Sequence, residues 1–178
     1  MLSHDALSLD GDMLDEAKAY LRLESGEDDA PLGAIILAAI SHAERFTAQW
    51  LVRRGVREIR SVSSFWQRLT ATPVIAITSV TGIPAEGATF TVPVTGYSTE
   101  IDSHGEGHFR VTQAGSAGRV EVAYQAGLAD SWAELPEALR FGILRLVGHL
   151  YANRDAADDN GPPAAVIALL RPWRRVRL

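Results

Sequence analysis

Apolar residues along the chain recur first at helical spacing, then at strand spacing, then at helical spacing again. From Asp12, residues Leu14, Ala17 and Leu21 fall on one face of a short amphipathic helix with acids in its first turn, ended by Ser25-Gly26. Glu27-Asp28-Asp29 then precede Pro31, which suits a helix's first turn because its missing N–H would have no partner there. The acids are expected to cap a second helix over about residues 31–50. Leu32, Ile35, Ile36, Ala39, Ile40, Ala43, Phe46 and Trp50 make that helix apolar on several sides, and Ala34, Ala38, Ala39 and Ala43 permit close helix approach. It reads as a central helix.

After Gly55 the pattern changes. Residues 56–65, 74–81, 89–95, 108–113 and 119–126 are rich in Val, Ile, Thr and Phe, partly alternating, which predicts strands. Turn candidates are Gly82-Ile83-Pro84, Glu86-Gly87, Ser103 to Gly107 and Ala114 to Gly118, the last two reading as flexible loops. Helical spacing returns at Pro136, with Leu139, Ile143, Leu146, Val147 and Leu150 forming a stripe to about Asn153. A polar break over 155–163 leads to a short helix over 164–170, which Pro172 is expected to end. The expected fold is α+β: mainly a helical bundle with an inserted small antiparallel β module. Its parts are an N-terminal helical part (1–55), the β module (56–130) and C-terminal helices with a basic tail (131–178).

Composition narrows the chemistry. The 178 residues are 47% hydrophobic and 22% charged, the balance of a globular protein, and the absence of cysteine excludes disulfides, thiolate metal sites and a cysteine nucleophile. The longest strongly apolar run, Leu32 to Ile40, is too short for a bilayer span, so no membrane association is expected. Net charge is -5, but residues 1–30 hold nine acids against Lys18 and Arg22. The last eight residues carry Arg171, Arg174, Arg175 and Arg177 and no acid. An acidic overall balance disfavours tight wrapping of DNA, whereas a short basic strip can meet an acidic protein surface. Trp173 between arginines, with Val176 and Leu178 beyond, is the residue mix enriched at protein interfaces. Docking to a partner is the better reading of this tail than a merely solvated terminus.

Enzymatic motifs are sparse. There is no Gly-x-Ser-x-Gly and no phosphate-binding loop, and Gly105-x-Gly107 lacks the third glycine of a dinucleotide fingerprint. Asp10-Gly11-Asp12 opens like a calcium loop, but Leu14 and Leu21 occupy positions that require oxygen ligands. Asp102, His104, Glu106 and His108 form a metal-like cluster at two-residue spacing, although a polar hairpin tip explains the same residues. His42 and His149 lie on predicted helices without a partner acid and are assigned no chemistry. The alternative function is therefore a small metal-dependent enzyme or regulator using Asp102, His104 and His108.

Several strings occur in a familiar order: Leu14 to Leu21 (LDEAKAYL), Ala39 to Thr47 (AISHAERFT), Pro73 to Val80 (PVIAITSV), Val122 to Leu128 (VAYQAGL), Leu135 to Arg140 (LPEALR), Leu150 to Arg154 (LYANR) and Leu169 to Arg174 (LLRPWR). Together, over residues 13–178, they resemble the head-tail connector (adaptor) proteins of long-tailed phages and phage-derived gene transfer agents. The resemblance implies a structural protein, not an enzyme, without a cofactor. It would assemble in the bacterial cytoplasm into the neck of a virion or phage-like particle. It implies a homo-oligomeric, dodecameric ring between a portal protein and a tail-side connector or stopper protein, with DNA passing through the lumen without specific binding. The portal-facing set would be Arg171, Trp173, Arg174, Arg175, Val176, Arg177 and Leu178, ordered only on docking. Trp173 departs from the family, which carries Tyr there. The acidic front end would meet a basic neighbour or keep the lumen electronegative.

Overall fold

The computed structural model of the chain describes residues 1–154 and 161–175. It divides into two compact units, one of Met1–Ala6 with Arg53–Leu128 and the other of Leu7–Val52 with Ala129–Leu178.

The first unit is built from two antiparallel sheets. Strands β1 (Leu2–His4), β2 (Arg54–Ser61), β4 (Val74–Pro84), β5 (Phe90–Thr91) and β8 (Ala117–Ala126) form a five-stranded sheet in the order β1-β2-β8-β4-β5. Strands β3 (Gln67–Arg68), β6 (Tyr97–Ile101) and β7 (Gly107–Val111) form a second sheet in the order β3-β7-β6. The central strand β8 pairs with β2 from Arg54↔Ala126 to Ser61↔Arg119 and with β4 on its other side. Its alternation buries Val120, Val122, Tyr124 and Ala126, the period-2 pattern of a strand with one face in a core. β4 is interrupted by register shifts at Val74/Ala76 and Ile77/Ser79, as bulges do when they bend a strand.

One buried polar network organises this unit. The Glu58 carboxylate on β2 is buried, and accepts from the Thr70 hydroxyl at 2.6 Å, the Thr70 N–H at 3.0 Å and the Tyr124 hydroxyl at 3.0 Å. Arg60 Nη2 pairs with Glu58 Oε1 at 2.6 Å and donates to the Arg68 carbonyl, while the Ala71 N–H donates to Tyr124 Oη at 3.1 Å. A buried charge is tolerated when it is paired and its lone pairs are filled. Here that requirement ties the 68–71 segment to β2 and β8.

The second unit is helical. Helix α1 (Gly11–Leu21) is capped by Asp10, whose side chain accepts from the Met13 N–H at 2.8 Å. Helices α2 (Asp29–Thr47) and α3 (Glu137–Ala152) supply most of the core, with Leu32, Ile36, Ile40, Leu139, Ile143 and Leu146 fully buried. Trp132, also buried, donates its indole N–H to Glu16 Oε2 at 2.6 Å, and Arg140 pairs with Glu16 Oε1 at 3.2 Å. The short helix α4 (Ala164–Leu170) packs Val166 and Leu170 inward. Gly142 of α3 allows its approach, since a Cβ there would stand 3.2 Å from Leu169 Cβ and 3.3 Å from Leu170 Cδ2.

The expectation of a mainly helical bundle is overturned. Among the described residues, four helices and eight strands in two antiparallel sheets give 35% helix and 28% strand, so the sheets are a major part of the fold and not a small insert. The reason lies in three places. The first residues add a strand, β1, whose side chains are all exposed and so carry no apolar signature. Tyr97–Ile101 forms β6 with mostly solvent-facing polar residues. β4 runs on to Pro84 through the expected turn Gly82-Ile83-Pro84. Gly82 serves packing there: a Cβ would meet the Phe90 ring at 2.6 Å. The expected strand over 89–95 shortens to Phe90–Thr91 followed by a 3₁₀ turn, Val94–Gly96.

The acids before Pro31 also behave differently from expectation. Asp28 occupies the N-cap of α2 but makes no side-chain cap there. It accepts from the Tyr151 hydroxyl at 2.8 Å, and Asp29 pairs with Lys18 at 2.8 Å.

Candidate functional site

The candidate docking segment begins where α4 ends. Pro172 does not stop the helical path at once: Arg171–Trp173 continue it as one 3₁₀ turn, whose last step is the Arg174 N–H donating to the Arg171 carbonyl at 3.1 Å. Pro172 donates no backbone hydrogen bond here, and the turn is held by its neighbours, the Arg171 N–H on the Ile167 carbonyl and the Arg174 N–H on the Arg171 carbonyl.

The segment then returns to the C-terminus of α2. That helix ends with Ala48 in the left-handed conformation at φ 54 and with its last carbonyls in need of donors. The Arg175 N–H donates to the Thr47 carbonyl at 2.8 Å. Gln49, itself buried, donates its side-chain amide to the Trp173 carbonyl. The Arg174 guanidinium stands over the Phe46 ring at 5.8 Å from its centroid, within cation–π range. Arg171 and Arg174 are exposed, while Trp173 and Arg175 are partly buried.

These contacts gather Arg171, Trp173, Arg174 and Arg175 at one end of the helical unit. Residues 171–175 make these contacts without a portal partner present, whereas the expectation is of a strip that orders on docking. Val176, Arg177 and Leu178, the remainder of the expected set, lie outside the described residues. Gln49 and Thr47 were not singled out from sequence. A buried glutamine just past a helix end is the signal that could have found them, since its amide must reach a partner.

The rival site does not assemble. Asp102 Oδ1 accepts the backbone N–H groups of both His104 and Glu106 at 2.8 Å, the work of a turn-forming aspartate. Those N–H bonds, Glu106's first, hold the Asp102 carboxyl below the usual carboxylate range. Glu106 is committed to Arg68 at 2.7 Å, and His104 Nδ1 lies 3.8 Å from Asp102 Oδ2. Among the described residues no group of three or more His, Asp or Glu could hold a metal ion. The loop is packed as well as hydrogen-bonded. Gly105 takes φ 73, and a Cβ there would meet Pro73 Cβ at 2.6 Å, so the expected flexible loop is a fixed turn. Ala114 to Gly118 is likewise closed by the Ala117 N–H on the Ala114 carbonyl at 3.1 Å.

The described residues thus comprise two units and an arginine-tryptophan segment bonded to the end of α2. Comparison with solved structures shows what such a chain is similar to. The chain matches a chain from the neck of an empty gene transfer agent particle, determined with C6 symmetry, at a TM-score of 0.80 and 28% identity, covering 100% of this chain and 97% of the other. It matches a chain of the native gene transfer agent virion at TM-score 0.78 and 28% identity with the same coverage. A chain from the neck of the native particle, determined with C12 symmetry, gives 0.78 and 27%, again covering 100% and 97%. No protein-family model and no curated protein sequence matches. The chain is thus similar over its full length to neck and virion chains of gene transfer agent particles, in keeping with the sequence resemblance, and these structural neighbours are virion components rather than enzymes. No helix among the described residues is long and apolar enough to cross a membrane.

Proposed function

We propose that the chain is the adaptor that joins a portal to the tail side of a phage-like particle, repeated as a ring through whose lumen DNA passes. The observation that carries this reading is the full-length match, at 28% identity and TM-score 0.80, to a chain of a gene transfer agent neck. The C6 and C12 symmetries of the neighbouring neck structures favour a ring, and C12 favours twelve copies. A ring requires a heterologous contact that closes by rotation. Each copy then presents Arg171, Trp173, Arg174 and Arg175, continued by Val176, Arg177 and Leu178, to the portal, and another surface to a tail-side connector or stopper. Four arginines in eight residues favour an acidic seat on the portal. DNA slides through without specific contacts, consistent with a net charge of -5.

Binding to purified portal tests the docking half of this reading. Removal of residues 171–178 should abolish it, but that deletion also uncovers the end of α2. The paired exposed-site variant Arg171→Glu with Arg174→Glu should weaken binding at least tenfold while leaving the circular dichroism spectrum unchanged. Full binding by both variants rejects the assignment. Electron microscopy of particles tests the location, and absence of the chain from the neck rejects the function. Retention on duplex DNA at physiological salt rejects free sliding.

A further inference from the structure

Among the described residues, each unit carries two large exposed aromatic side chains next to one another. In the sheet unit, Phe65 is 81% exposed and Trp66 is 43% exposed, although both are large apolar side chains. The loop that presents them is anchored. The Phe65 N–H donates to Ser63 Oγ at 3.0 Å, and the Val111 N–H donates to the Ser63 carbonyl at 2.9 Å. The Arg110 guanidinium stacks on Trp66, 4.7 Å from the ring centroid, and has no carboxylate partner among the described residues. In the helical unit, Tyr20 of α1 and Phe141 of α3 are 41% and 46% exposed and meet edge to face at 6.3 Å. Glu137, one turn before Phe141 on the same face of α3, has no basic partner among the described residues, whereas Arg145 one turn after it stacks on Phe141 at 5.8 Å.

Resting on the ring reading above, we propose that the Phe65-Trp66 loop of one copy seats on the Tyr20-Phe141 face of the next, with Arg110 meeting Glu137 at the acidic end of that face. A closed ring uses two different, complementary patches on every copy. These two patches differ in shape, one a projecting loop and the other a helical face. Charge is complementary at one end of that face, where Arg110 would meet Glu137, while Arg145 stacks on Phe141 toward the other end. Rigid aromatics with an adjacent arginine are the usual anchors of protein interfaces. Two such pairs on one chain fit a second copy better than two unrelated partners.

The chain has no cysteine, so introduced pairs report on contact directly. Phe65→Cys combined with Phe141→Cys, in particles assembled with this chain, should give a ladder of disulfide-linked multimers under oxidising conditions, collapsing to one band on reduction. The control pair Val94→Cys with Phe141→Cys should not. Arg110→Glu and Glu137→Lys should each reduce incorporation into necks at least fivefold, and the two together should restore it, a rescue that misfolding cannot produce. Absence of both ladder and rescue, in particles whose necks contain the ring, overturns the contact while the ring stands. Ladders confined to a dimer from Phe65→Cys alone also overturn it. Necks lacking the unaltered chain overturn the ring reading, and the contact with it.

Discussion

The N–H of Arg175 donates to the carbonyl of Thr47 at 2.8 Å, so a residue of the basic tail closes the end of a helix that lies 128 positions earlier in the chain. Gln49 makes the companion bond to the Trp173 carbonyl. Tail position is therefore a property of the fold of α2 and not only of the tail's own sequence. Gln49→Ala removes the only side-chain donor seen on that carbonyl among the described residues. It should lower stability by about 1 kcal/mol, read as a reduced urea midpoint with unchanged slope. Portal affinity should fall although every arginine remains. A midpoint equal to that of the unaltered chain would show that the tail needs no such anchor.

The Glu58 network predicts a second cost. Glu58→Ala leaves Arg60 without its carboxylate and strips acceptors from Thr70 and Tyr124. Loss of one partner of a buried pair costs about 3–5 kcal/mol, and the lower end applies because Arg60 is partly exposed. Tyr124→Phe removes only the hydroxyl and should cost about 1–2 kcal/mol. Denaturant titration of the two variants should rank them in that order, and equal values would mean that the carboxylate is not the centre of the network.

Tyr124 also sets an alkaline limit. Burial pushes its hydroxyl well above the ordinary value of 10.0, and the neighbouring Glu58 carboxylate adds to the rise. The unfolded chain therefore loses this proton first as pH increases. The stability contribution is fully present below about pH 10 and declines as pH climbs above it. Unfolding free energy measured from pH 8 to 11.5 should fall more steeply for the unaltered chain than for Tyr124→Phe. Parallel curves would remove Tyr124 as the cause.

The turn at Asp102 to Gly107 should behave as structure and not as a metal site. Gly105 holds φ 73 with Pro73 Cβ 2.6 Å from where a side chain would begin. Gly105→Ala should therefore destabilise by more than the roughly 1 kcal/mol of left-handed strain alone. Chelator should leave the melting temperature unchanged, and elemental analysis should find no stoichiometric metal. A chelator-induced drop in melting temperature would revive the metal reading.

Much of the helical unit was legible because its apolar residues repeat at a single period. Leu139, Ile143, Leu146 and Val147 mark α3 over residues that fold as Glu137–Ala152, and all four are buried. β8 was legible for the corresponding reason, with Val120, Val122 and Tyr124 alternating inward. β1 and β6 were not. Leu2, Ser3 and His4 are held by backbone pairing to Glu58, Arg57 and Val56, which leaves no pattern in the side chains. Gly82 misled because glycine marks both turns and close packing, and only the Phe90 ring distinguishes them. At the candidate site the arginines and Trp173 were visible as composition. Their attachment to Thr47 and Gln49 was not, because backbone bonds across more than 120 positions leave no local trace.

The tail's placement also depends on how closely α4 lies on α3, and Gly142 isolates that dependence. An alanine there would stand 3.2–3.3 Å from Leu169 and Leu170, a contact relieved by shifts of a few tenths of an ångström. Its better helix propensity, worth roughly 1 kcal/mol over glycine, should offset most of the cost, so Gly142→Ala should be nearly neutral. Gly142→Leu cannot be accommodated in that way. Overpacking of this kind costs about 1–3 kcal/mol, and the strain should be relieved by moving α4, the shorter element, away from α3. Arg171–Trp173 follow α4 without a break, so they should move with it. Gly142→Leu should thus lose portal binding while retaining every tail residue, and binding equal to that of Gly142→Ala would mean that the tail docks independently of the helix that carries it.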